Sequence, residues 1–114
     1  MADRGDLAGR WGTLGLLEQM AHVGSEVERS IRAHEGGRTE RMQKALERAL
    51  ELFDLTAADD RWHGPRRREI LRAREEVCRL FFDPDPPAGS AAGLRDYFLR
   101  FAVAARRPAA SADS

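Results

Sequence analysis

"HVGSEVERSI", residues 22–31, sets apolar side chains at helical spacing around a glycine. Val23, Val27 and Ile31 recur every fourth residue and so share one stripe of an α-helix. Gly24 lies beside that stripe, although glycine costs a helix interior about 1 kcal/mol relative to alanine. A glycine at such a place predicts that another helix comes close to it. Outward from this stretch the rhythm runs from about Trp11 to His34, with Leu16 and Met20 continuing the stripe, and Gly36-Gly37 ends it.

Three further segments carry the same period, and none alternates convincingly with period two. The second helix is expected over about 38–55, with Met42, Ala45, Leu46, Ala49, Leu50, Leu52 and Phe53 inward. The third opens at Gly64-Pro65, proline suiting a first helical turn, and reaches about Phe82. Asp83-Pro84-Asp85-Pro86-Pro87 forbids its continuation, because proline rings clash with the preceding turn. Ser90 is a good N-cap for a fourth helix over about 91–107, whose apolar face includes Leu94, Tyr97, Phe98, Phe101, Val103 and Ala105. The expected fold is all-α: an antiparallel up-down four-helix bundle over residues 11–107, since short connections after the first two helices favour antiparallel neighbours. Residues 1–10 and 108–114 read as disordered ends. "ALERALELF", residues 45–53, has the flavour of a tetratricopeptide helix, but no second copy stands about 34 residues away, and a solenoid needs about three repeats.

A chain of 114 residues is one domain and buries about two thirds of its unfolded surface without a metal or disulfide staple. Nineteen basic residues offset nineteen acidic ones, so the molecule exerts little long-range pull on nucleic acid or anionic lipid. Lys44 is the only lysine, an arginine bias that reflects a GC-rich genome more than phosphate recognition. Cys78 has no second cysteine to bridge and sits in an apolar helical pattern, where a buried, inert thiol and a reducing cytoplasm are expected. The early apolar run from Leu14 to Leu17 ends at Glu18, too short for a secretory signal, and no stretch approaches the roughly 18 apolar residues of a membrane span.

Ser25, Glu26 and Arg29 flank the expected crossing at Gly24. A carboxylate drawn inward there needs a cation, for which Arg48 and Arg74 are candidates, and Asp54 is placed awkwardly between Phe53 and Leu55. The expectation is one polar cluster of Glu26, Arg29, Arg48, Asp54 and Arg74: a small pocket, or, more commonly for such networks, ion pairs that fix helix register. Arg66-Arg67-Arg68, with Arg61 and Arg72, forms the most basic patch, at a helix start where cations oppose the dipole, and so hints at an anion or acidic-partner surface. Trp62 and His63 beside it are able to stack on a base, while Asp59, Asp60 and Glu69 partly neutralise it. Glu18, His22 and Glu26 recur along one face, but no Glu-x-x-His pair accompanies them, so neither a metal nor a cofactor is expected. Arg29 to His34 matches the Arg-x4–6-His pattern of helical RNases of the HEPN group, of which about one match is expected by chance at this composition.

"HVGSEVERSI", "RALELFDLT" (48–56) and "RAREEVCRLFFD" (72–83), taken together, resemble a family of small all-helical prokaryotic proteins that share GSEV-type and ALEL-DLT-type motifs. The likeness covers about residues 20–107, including "YFLRFAVAAR" in the fourth helix, and implies a helical fold but no activity, cofactor or catalytic residue. Asp85-Pro86-Pro87 departs from the less proline-rich loop of that family. The function expected is a non-enzymatic interaction module that self-associates or binds a partner helix through incompletely hidden Trp11, Leu14, Tyr97 and Phe101. The alternative is an RNA-directed protein, a HEPN-like nuclease or a toxin–antitoxin-associated module, using Arg29, His34 and the arginine patch; a small-molecule or metal-binding bundle rests on the Glu26 cluster alone.

Overall fold

The structure, a computed structural model, describes residues 4–107, with side chains from Leu7 onward. It is all-helical: α1 (Arg4–Trp11), α2 (Leu16–Glu35), α3 (Thr39–Ala57), α4 (Pro65–Phe82) and α5 (Ser90–Ala105), with no strand among the described residues. Five helices therefore stand where four were expected, because the first predicted helix breaks at Gly12–Gly15 and part of the expected disordered N-terminus forms α1. The break follows from the sequence, with Gly12, Thr13 and Gly15 inside four positions. Thr13 donates its hydroxyl to the Arg10 carbonyl at 2.7 Å, and Glu18 reaches back 3.3 Å to accept the orphan N–H of Gly15. The expected tail at 108–114 lies outside the described residues.

The other boundaries follow local backbone chemistry. Gly37 at φ 72° turns the chain between α2 and α3. Gly64 at φ 64° precedes Pro65, which opens α4 as expected. At α5 the cap is Gly89, not Ser90; the Ser90 hydroxyl instead donates to the Pro87 carbonyl at 2.6 Å.

One core runs through the molecule, built from Met20, Val23, Val27 and Ile31 of α2, Leu46, Ala49 and Phe53 of α3, Ile70, Ala73 and Val77 of α4, and Leu94 and Phe98 of α5. α2 packs on both α3 and α5, α4 bridges α3 and α5, and α1 touches α3. Gly24 is buried where α2 meets α5, and the Phe98 side chain occupies the space that a Cβ there would need. Arg95 ties the same two helices, donating to Glu28 at 2.9 Å and to both carboxylate oxygens of Glu35 at 3.1 Å.

Candidate functional site

The five residues expected as one polar cluster are divided between two seams. Glu26, whose side chain is largely covered, accepts from Arg29 at 3.1 Å and from Arg48 of α3 at 3.3 Å. Arg74 of α4 instead donates to Asp54 of α3 at 3.0 Å, and no described ion pair joins it to Glu26. The reason is rotational: Arg48 and Asp54 are six residues apart, about 120° around the α3 axis, so one faces α2 and the other α4. Arg29, Arg48 and Asp54 all lie on the surface, where such pairs contribute a few tenths of a kcal/mol. Beside Arg74, its guanidinium lies 3.9 Å from the half-buried Cys78 thiol, a weak contact.

The arginine patch is also partly committed. Arg67 donates to the Ala57 carbonyl at 3.0 Å, satisfying an orphan group at the end of α3. Arg61 grips Asp59 with two side-chain bonds of 3.0 and 2.7 Å, reaches the Leu14 carbonyl at 2.6 Å and stacks over the Trp62 ring at 4.6 Å. Arg66 and Arg68 are exposed, and neither makes an ion pair among the described residues.

Sequence reasoning missed the network that Arg61 belongs to. Gln19 is fully buried; its amide donates to the Trp11 carbonyl at 2.9 Å and to Asp59 at 3.1 Å, and its oxygen accepts from Trp62 Nε1 at 2.8 Å. Trp11 Nε1 donates to Thr56 Oγ1 at 3.0 Å, and that hydroxyl donates to the Leu52 carbonyl at 2.8 Å. α1, the start of α2, the end of α3 and the following turn thus share one hydrogen-bonded joint. The Arg61 guanidinium, with help from the Arg61 and Gln19 N–H groups, holds the Asp59 carboxyl well below the usual carboxylate range. Every buried side-chain polar atom among the described residues has a partner, so the joint offers a ligand no unpaired group.

The side chains weighed for metal binding or RNA chemistry are dispersed. Glu18 is used at Gly15, His22 rests against Trp11 with ring centroids 5.7 Å apart, and no group of three potential metal ligands is assembled among the described residues. Arg29 bonds Glu26, while His34 meets the edge of Phe81 at 5.9 Å. Between α4 and α5 an open groove is lined by Arg68, Leu71, Arg72, Ser90, Gly93 and Tyr97. Tyr97 donates to Glu69 at 2.9 Å across it, and burial, then the Glu69 contact, push its phenol above the usual range.

The apolar surface agrees with the expected one in part: Leu14, Tyr97 and Phe101 are incompletely hidden, and Trp11 is not. Trp11 is only 6% exposed, drawn inward by its bond to Thr56, and Leu14, Tyr97 and Phe101 are partly covered. Large apolar side chains also stand out at Leu17, Leu71, Phe82, Leu99 and Val103. No helix among the described residues is long and apolar enough to cross a membrane. No protein-family model matches the chain, and no curated protein or solved structure is significantly similar to it.

Proposed function

We propose that this chain is a non-enzymatic interaction module that self-associates. The observation that carries this reading is on α5: Leu99 and Val103 are 55% and 45% exposed on the outer face of a helix whose inner face already fills the core. Leu17, 46% exposed at the start of α2, borders the groove lined by Ala104 and Ala105 at the end of α5. The polar groups of the interior are engaged with one another, which favours a packing surface over a reacting centre.

The proposal takes the four long helices as an antiparallel up-down bundle. Gln19–Asp59 and Glu26–Arg48 run in opposite order along α2 and along α3 with the turn that follows it, as do Asp54–Arg74 and Ala57–Arg67 along α3 and α4, and Gly24–Phe98 and Glu28–Arg95 along α2 and α5. It also includes kinship with the small helical prokaryotic family and a reducing, cytoplasmic setting, supported by the sequence motifs and by the lone Cys78.

Light scattering during gel filtration over a wide range of loading concentrations tests self-association. A mass that rises above 12.8 kDa with concentration supports it, and a clean monomer throughout overturns it.

A further inference from the structure

We infer that two copies meet through the outer face of α5, packed antiparallel on itself about a dyad near Phe101; this rests on the self-association proposed above. The exposed positions Ala92, Asp96, Leu99, Val103 and Arg106 follow one another at intervals of four, three, four and three residues. That alternation is the seam of a two-helix contact, in which successive positions point at the partner. In this stripe Leu99 and Val103 are flanked by one acid on the N-terminal side and one arginine on the C-terminal side. The side chains of Asp96 and Arg106 make no ion pair or hydrogen bond among the described residues, so both charges are free to take a partner.

The charge order selects both the occupant and its direction. With a dyad near position 101, Leu99 of one copy faces Val103 of the other and Asp96 faces Arg106, each contact occurring twice by symmetry. A parallel arrangement would set Asp96 against Asp96 and Arg106 against Arg106, which like-charge repulsion opposes. The other exposed apolar residues on α4 lack such a pattern: Leu71 lies among Arg68, Arg72 and Glu75, and Phe82 stands at the helix end. A seam one helix wide falls at the low end of specific interface sizes, below about 1,200 Å² in total, so the dimer is expected to be weak and concentration-dependent.

Sedimentation over a dilution series, on wild type, Leu99→Glu, Asp96→Arg, Arg106→Asp and the double exchange Asp96→Arg/Arg106→Asp, tests this surface. Leu99→Glu is expected to weaken the dimer at least tenfold with helical content and melting temperature unchanged. Each single reversal weakens it several-fold, and the double exchange recovers most of that loss, because it restores opposite charges across an antiparallel seam. Should Leu99→Glu unfold the chain, the exchange series at exposed positions decides alone. A wild-type dimer indifferent to Leu99→Glu, or a double exchange no tighter than either single reversal, overturns the α5 seam and leaves self-association standing. A wild type that stays monomeric overturns both.

Discussion

Phe98 lies so close over Gly24 that a methyl group at position 24 would come within 2.8 Å of its Cβ and 3.0 Å of the ring atoms Cγ and Cδ1. Those atoms are the root of the side chain, not its free end, so α5 itself has to move to make room. Forcing a methyl group into a packed contact costs about 1–3 kcal/mol, and alanine returns at most about 1 kcal/mol of helix propensity. Gly24→Ala is therefore expected to lower stability by about 1–2 kcal/mol in urea denaturation. A raised midpoint would mean that α2 and α5 are not in contact there.

Gly93 provides the opposite sign on the same helix. Nothing lies within 4 Å of a Cβ built there, and its φ is not among the positive ones. Gly93→Ala removes conformational freedom from the unfolded chain without a clash and is expected to stabilise by about 0.4–1 kcal/mol. A thermal melt followed by circular dichroism should shift upward by a few degrees; a downward shift would show that α5 is not regular at this point.

Gln19 joins segments that packing alone holds loosely. Gln19→Leu keeps the volume but leaves the Trp62 Nε1 donor without its acceptor and removes one of the two donors to the Trp11 carbonyl, which keeps the Leu14 N–H at 3.1 Å. Orphaning that donor costs about 1–3 kcal/mol, and a loss within that range is expected. Both tryptophans of the chain belong to this joint, so their fluorescence reports its loosening directly. Emission and denaturation midpoint identical to wild type would remove the joint from any role in stability.

The contact at Gly24 was legible because helical periodicity and a lone glycine are both local signals. The joint around Gln19 was not: its members run from Trp11 to Trp62, and a polar residue beside an apolar stripe reads as surface. A signal did exist, since both tryptophans fall at or near helix ends and a buried indole N–H requires an acceptor. The Glu26 cluster failed for another reason. Residue types suggested which charges attract, but only helix rotation decides which seam each faces, and Arg74 pairs with Asp54 while Arg48 pairs with Glu26. The exposed stripe on α5 was hidden in the sequence because Leu99 and Val103 are as apolar as the core residues Leu94 and Phe98 on the inner face.

Asp59 predicts the acid limb of stability. Its pKa in the folded chain is depressed, chiefly by the Arg61 hydrogen bond, from an unfolded value of about 3.9. The unfolded state therefore binds the proton more readily, and this contribution is full above about pH 4 and fades as pH falls below it. Asp59→Asn should lower stability at neutral pH and flatten the dependence between about pH 4 and pH 2. Urea midpoints measured across that range check it, and two parallel curves would show that Asp59 is equally acidic folded and unfolded.

Tyr97 predicts the alkaline limb, and it can be watched alone because the chain has one tyrosine. Its hydroxyl is raised above the ordinary value of about 10, first by burial beside Phe98 and Phe101 and then by donation to Glu69. Here the folded state holds its proton longer than the unfolded one. The associated stability is complete below about pH 10 and is lost as pH rises through the folded value. Phenolate absorbance in the near ultraviolet should stay low past pH 10 in the folded protein and appear with unfolding. Glu69→Gln should bring the ionisation part of the way back, not the whole way, since burial is the larger cause. Phenolate forming near its ordinary pH in the folded wild type would mean that water reaches the Tyr97 hydroxyl freely, and that the bond from α5 to α4 does not bridge the groove.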